Sequence, residues 1–374
     1  MAHIIHITSV HLWRDTRIFL KMCRSLAEAG HRVSLVAIDR DATENTMLTE
    51  AGVEVHLLAG HAIRNRFNRA FKGGWMVARK AMALKGDIVH LHDPELIAHI
   101  PMLRTSGLKV IFDAHEDFVG QTDSRDWASG WRRWPVEGVS WALQQTVNRV
   151  ASHIITATEK IAERHPPSKT TVINNYPIIG ELQVAEEAAL PLTQRPKRGI
   201  YVGGMNDIRG LREVIEALDM ADNVEGFDLV GAFQSAAFHQ ELETLPGWRK
   251  VTHHGLCSRD EVARLMGQAR FGVVTFHALR NHVEAKPNKL FEYLSAGLPV
   301  VHSHFPLWCG ITQHAGVGIP VDPADAQSVA AGMNKIVDHP DLNAIAVRAV
   351  ELIENELNWT QESKRLLSVI DALL

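Results

Sequence analysis

The sequence predicts an α/β protein made of two doubly wound parallel-sheet units, and three observations point there. Short β-rich runs alternate with segments of helical period from the first residues onward, the pattern of parallel strands joined by crossover helices. The alternation lapses over residues 181–198 and restarts at Gly199. At 374 residues the chain exceeds what one hydrophobic core usually organises, so two domains are expected.

Residues 3–10 (HIIHITSV) read as the first strand, and Ile18, Phe19, Met22, Cys23 and Leu26 then share one helical face up to Gly30, a residue suited to a C-cap. RVSLVAI, DIVHLH (87–92), KVIFDAH (109–115), HIITAT (153–158) and TVINN (171–175) extend the series and complete a domain over residues 1–180. ELQVAEEAALPLTQRPKR (181–198) loses strand character, carries two prolines and reads as a linker. GIYVGG (199–204), FDLVGAF, RKVTHHG, FGVVTFH, LPVVHSH and VGIPVD make a second domain over 199–357. Residues 358–374 regain helical period and can pack on either domain.

Composition excludes several classes. Hydrophobic residues at 46% and charged residues at 22% describe an ordinary globular chain. A net charge of −4 and a pI near 6.6 lack the basic excess of a nucleic-acid partner. Cys23, Cys257 and Cys309 are odd in number and far apart, which suits a reducing cytosol rather than a disulfide framework. The start lacks a basic leader and cleavage site, and no apolar run nears the roughly 20 residues that span a bilayer. The expected location is cytoplasmic, with membrane contact limited to the periphery of the inner face.

Doubly wound sheets bind ligands beyond the carboxyl ends of their strands. Within HVEAKPNKLFEYLSAGLPVV (282–301), Glu284 falls in a loop and Glu292 in a short helix. A carboxylate accepts from two vicinal hydroxyls, so one of these residues can face a sugar and the other a ribose. Pro287 suits a first helical turn, and the free amides after it, at Asn288, Lys289 and Leu290, would point at an anion such as diphosphate. Lys289 adds positive charge there. YVGGMNDIRGLREVIEAL (201–218) is a strand, a turn at Gly203 and Gly204, and a helix, with Arg209 its main basic candidate. GxGxxG is absent from both domain openings, which disfavours a dehydrogenase.

In the first domain, KVIFDAHEDF (109–118) puts Asp113, His115 and Glu116 at a strand end, where a histidine can bond a sugar hydroxyl or polarise a reacting centre. HLHDPEL (90–96) brings His92 and Asp93 to another strand end, to contact acceptor hydroxyls or to form a turn at Asp93-Pro94. SVHLWRDTRIF (9–19) holds Arg14, Asp15 and Arg17, with Asp15 or Thr16 a helix cap. No metal site is expected, because His253-His254, His302 and His304 lack a spaced carboxylate or cysteine set and no Asp-x-Asp is present.

Residues 61–80 interleave Arg64, Arg66, Arg69, Lys72, Arg79 and Lys80 with Phe67, Phe71 and Trp75. Residues 127–141 add Trp127, Trp131, Trp134 and Trp141 with Arg132 and Arg133. Such segments either lie against an anionic membrane surface or cover the core of the first domain.

The segment from Glu284 to Glu292, with PNKLFEYLSAGLPVV, resembles the Glu-x7-Glu motif of the retaining family-four glycosyltransferases of the GT-B fold, in its bacterial polysaccharide and glycolipid form. KVIFDAHEDF is similar to the DxHE pattern of that family. Three departures stand out: Gly204 occupies the place of the family's arginine, Arg209 that of its lysine, and the loop after the first strand lacks the family's glycines.

The resemblance implies two Rossmann-like domains facing across a cleft. It implies Glu284 against the transferred sugar, Glu292 on the ribose, and catalytic roles for His115, Glu284 and Arg209. Gly203, Gly204, Arg209, Asn288, Lys289, Leu290 and Glu292 would bind the donor, and Arg17, His92, Asp93 and Glu116 would line the acceptor side. The implied reaction moves a sugar from a nucleoside diphosphate sugar, by preference a UDP-sugar, to a hydroxyl of a saccharide or lipid-linked acceptor with retention and without a cofactor. A nucleotide-sugar epimerase of the same fold, or a non-catalytic sugar-nucleotide binding protein, stays open.

Overall fold

The computed structural model describes residues 1–61, 69–115, 133–183 and 190–374. It divides into two compact units, Met1–Asn175 with Trp359–Leu374, and Tyr176–Asn358.

The first unit holds β1 (His3–Ile7), β2 (Arg32–Asp39), β3 (Thr46–Glu50), β4 (Val53–Ala59), β5 (Ile88–Leu91), β6 (Lys109–Ala114), β7 (His153–Thr156) and β8 (Thr170–Val172). Among the described residues these form one sheet in the order β3-β4-β2-β1-β5-β6-β7-β8. All pairs are parallel except β3 with β4. The interior strands read as apolar runs because both faces are covered, and Ile4, Ile5, Ile7, Val89 and Leu91 are wholly buried. The β3–β4 pair was not among the expected strands, and TMLTE of β3 is mostly exposed at the sheet edge.

The helix Thr16–Cys23 starts at Asp15, whose carboxylate accepts from the amides of Arg17 at 2.8 Å and Ile18 at 2.9 Å. The terminal helix Trp359–Leu373 returns to this unit. Trp359 donates to Ser25 at 2.8 Å, and the buried Glu362 accepts from the Asn174 amide at 3.0 Å.

The second unit holds β9 (Arg198–Val202), β10 (Gly226–Val230), β11 (Val251–Gly255), β12 (Phe271–Val274), β13 (Val300–Ser303) and β14 (Gly318–Val321), all parallel, in the order β11-β10-β9-β12-β13-β14. The chain steps outward from β9 in one direction and from β12 in the other, so a topological switch point lies between them. In the first unit the same reversal lies between β1 and β5.

Of the stretch expected as a linker, residues 181–183 and 190–198 group with this second unit. Leu182 and Leu192 are buried in its core, and Arg195 donates to the carbonyls of Met266 at 3.3 Å and Ala269 at 3.0 Å. A few inward apolar residues anchor a run that lacks any strand pattern.

Candidate functional site

In the second unit the switch point brings together the ends of β9 and β12 and the helix Asn288–Ser295. Beyond β9, Gly203 takes φ +128°, and a Cβ there would lie 3.1 Å from Lys289 Nζ. Gly210 takes φ +68°, and a Cβ there would fall 1.9 Å from the Thr275 carbonyl oxygen just past β12. Both positions favour glycine, the first through its positive φ and the second also because a side chain would collide with the loop after β12.

Lys289 turns inward instead of reaching into solvent. Its ammonium sits 3.8 Å from the centre of the Tyr201 ring and 5.3 Å from that of Phe276, buried and without a hydrogen-bond partner. Burial, and then the charge of Arg209, hold its pKa well below the usual lysine range, while Glu292 acts the other way. The Arg209 guanidinium stands 5.0 Å from the same Phe276 ring, and its Nε is buried and unpaired. Tyr201 donates its hydroxyl to the Gly204 carbonyl at 2.9 Å, and burial pushes its pKa up to about 12 against the opposing charge of Arg209. Two basic side chains thus share an aromatic floor at a strand end, where ring faces favour their charged forms and, among the described residues, neither is paired with an anion.

Two expectations around this helix change. Pro287 is its N-cap residue, not its first helical residue, and no side chain caps the first turn. Leu290 was expected at the donor, but its side chain is wholly buried in the core and its amide donates to the Pro287 carbonyl at 3.1 Å. It packs the helix onto the sheet. Asn288 and Gly204 are exposed.

Glu292, one turn beyond Lys289, accepts from Arg259 at 2.9 Å, and Arg259 also donates to Glu181 at 3.0 Å. Burial works to lower the Arg259 pKa, but the two glutamates outweigh it. Arg259 escaped the sequence reading because its partners lie far along the chain. Glu284 is half-buried at the end of the helix Arg280–Val283, and Trp308 steadies the adjoining loop by donating to the Ala285 carbonyl at 2.7 Å.

In the first unit His115 follows β6. Its ring meets His11 edge-on at 5.1 Å, its Nδ1 lies 3.9 Å from Asp113, and burial lowers its pKa while Asp113 opposes the shift. Three residues expected on the acceptor side brace the framework of this unit. Arg17 is buried, grips Asp113 with two bonds at 2.8 and 2.7 Å and donates a third to the Ile173 carbonyl at 3.0 Å. His92 is wholly buried between Asp113 at 3.1 Å and His6 at 2.9 Å. Asp93 is buried, and one carboxylate oxygen accepts from Thr8, Ser9 and Val10, which fixes the loop after β1. Burial works to raise the Asp113 pKa, but the charge and hydrogen bonds of Arg17, with the bond from His92, hold it well below the usual carboxylate range. Glu116 lies outside the described residues.

Of the two basic aromatic segments, residues 62–68 and 127–132 also lie outside the described residues. Phe71, Trp75 and Trp141 are exposed at 62%, 48% and 59%, so these rings do not cover the core. Among the described residues no helix is long and apolar enough to cross a membrane.

Residues 16–175 match the family described as "Glycosyl transferase 4-like domain", and residues 196–339 match "Glycosyl transferases group 1". Solved structures resemble the chain over its full length. Sucrose-phosphate synthase from Thermosynechococcus elongatus superposes with a TM-score of 0.80 at 16% identity, covering 100% of this chain and 99% of that one. Anabaena HepE in complex with UDP-glucose gives 0.75 at 14% identity, with 100% of both chains covered. A UDP-forming α,α-trehalose-phosphate synthase from Burkholderia vietnamiensis gives 0.69 at 13% identity, again with 100% of both covered. At such identities the likeness speaks for the fold. A comparison with curated proteins gives no match. The two family matches together take in most of the chain and fall one within each of its two units, and the chain belongs to the family-four-like glycosyltransferases of the GT-B fold.

Proposed function

We propose that the protein is a retaining glycosyltransferase that moves a hexose-type sugar from a UDP-sugar to an acceptor hydroxyl in cell-surface polysaccharide or glycolipid assembly. The observation that carries this reading is the unpaired, buried ammonium of Lys289 beside Arg209 at the carboxyl end of β9. A buried lysine without a partner is charged only at a cost, and a diphosphate at the strand end offsets that cost. As the bond between the anomeric carbon and the leaving diphosphate breaks, negative charge grows on the phosphate oxygens. Each donor aimed there lowers the barrier by roughly 3 kcal/mol. Lys289 and Arg209 supply at the diphosphate the charge that a divalent ion would otherwise bring.

In this reading Glu292 holds the ribose diol and Glu284 the transferred sugar. The acceptor oxygen attacks the face the diphosphate leaves, and the departing phosphate oxygen takes the acceptor's proton. His115 serves the acceptor, its ring held neutral by burial. That the HepE complex holds UDP-glucose and the trehalose-phosphate synthase is UDP-forming favours uridine as the donor's base. The exposed Phe71, Trp75 and Trp141 support peripheral contact with an anionic membrane surface, which suits a lipid-linked acceptor.

The test is product analysis with a panel of UDP- and GDP-sugars and hydroxyl acceptors. An α-linked product from an α-configured donor, read from its anomeric proton, is the expected result. A β-linked product would overturn retention, and a rearranged nucleotide sugar with no glycoside would overturn transfer.

A further inference from the structure

We propose that His6, His90 and His92 form a buried site for one divalent transition-metal ion, zinc by the character of the donors, that ties β1 to β5 at the switch point of the first unit. His6 on β1 and His90 on β5 are register partners, and His92 follows His90 by two residues, just past the end of β5. The ring centroids lie 4.5 to 5.2 Å apart, and one ring nitrogen from each histidine lies within 4.8 Å of the others. All three residues are wholly buried.

Counting protons shows what the cluster lacks. Asp113, paired through two bonds with Arg17, is a carboxylate and only accepts, so the proton of His92 sits on Nδ1 and Nε2 presents a lone pair. His6 Nδ1 meets that lone pair at 2.9 Å. His6 Nε2 and both nitrogens of His90 are then left buried without partners. Hydrogen bonding among the rings satisfies one contact and strands three polar atoms, at positions where the neighbouring strand residues are apolar.

A metal ion uses these same lone pairs. Neutral imidazole is a usual zinc ligand, and a carboxylate on the far nitrogen is the usual partner that orients it, which is the place Asp113 has behind His92. Ligation at about 2.0–2.1 Å sets neighbouring nitrogens about 3.3–3.4 Å apart, so the present 2.9 and 4.8 Å bracket the requirement and small ring rotations meet it. Three nitrogens without carboxylate ligands select zinc and its late first-row neighbours over magnesium or calcium. The site lies in the first unit, apart from Lys289 and Arg209, and is independent of the reading of the donor site.

The test uses the full chain without a histidine tag, stripped with chelator and dialysed against Zn²⁺ or Co²⁺. The expected results are one ion per chain by elemental analysis, a cobalt complex with the intense visible bands of low coordination, and a melting temperature that falls on chelation. X-ray absorption at the zinc edge should count three imidazoles. His90→Gln, checked for native circular dichroism, should lose the ion. Failure of the wild type to hold a stoichiometric ion, an all-oxygen zinc environment, or undiminished binding by folded His90→Gln would each overturn the proposal. If His90→Gln does not fold, the imidazole count on the wild-type protein decides.

Discussion

The Lys289 ammonium stands over the Tyr201 ring at 3.8 Å with no hydrogen-bond partner. Lysine seldom occupies such a position, because burial penalises its charged form and leaves its donors unused. Ring faces offset part of that cost, and a bound diphosphate would offset more.

Replacing Lys289 with methionine keeps the volume and apolar surroundings of the stem while removing the charge. The expected outcome is a loss of about a hundredfold in kcat/KM, the roughly 3 kcal/mol of one donor to a leaving group, with a melting temperature that does not fall. Steady-state kinetics beside thermal melting checks both halves. Full activity in this variant would remove Lys289 from the leaving group.

Proton uptake should accompany donor binding. Burial and Arg209 lower the Lys289 pKa in the free protein, and a bound diphosphate, being negative, raises it. Binding therefore takes up a proton between the two values, and affinity weakens as pH rises through that window. Calorimetry of UDP binding in buffers of differing ionisation enthalpy measures the protons directly, and a result of no transfer would contradict this account of Lys289.

Gly210→Ala should unfold at lower denaturant. The residue has φ +68°, and an added Cβ would fall 1.9 Å from the Thr275 oxygen. Strain of this kind costs on the order of 1–3 kcal/mol before any displacement of the loop. The neighbouring Arg209 would shift with it, so the donor KM should rise alongside the drop in urea midpoint.

Arg17→Met leaves Asp113 buried with its principal partner gone. The expected destabilisation is about 3–5 kcal/mol by equilibrium unfolding, well above what a residue merely lining an acceptor groove would show. A change confined to acceptor KM, with stability intact, would return Arg17 to the acceptor side.

Most of the interior strands were legible because a parallel sheet covered on both faces demands apolar runs, and HIIHI, RVSLVAI and GIYVGG supply them. The β3 strand was not, since TMLTE at an exposed edge has no such pattern. Glu284, Lys289, Glu292 and Arg209 could be singled out from motif spacing, but the inward turn of Lys289 depends on Tyr201 and Phe276, which only the fold brings beneath it. His92 and Asp93 sit at a strand end as expected and Arg17 in the helix Thr16–Cys23, yet their roles are set by partners distant in sequence, and position alone does not tell a ligand contact from a buried brace. His6 and His90 escaped because each lies inside an apolar strand, and their shared cluster arises from β-pairing across more than eighty residues. The same limit hid Arg259 behind Glu292.

The central claim is that the carboxyl end of β9 and the helix Asn288–Ser295 hold a nucleoside diphosphate, with Glu292 on its ribose. Calorimetric titration of the wild type and Glu292→Ala with UDP, GDP and their sugars tests it most directly. The account predicts tight binding of UDP that weakens at least tenfold in Glu292→Ala while the variant keeps its fold. Absence of binding for every nucleotide, or equal binding by wild type and variant, would contradict it.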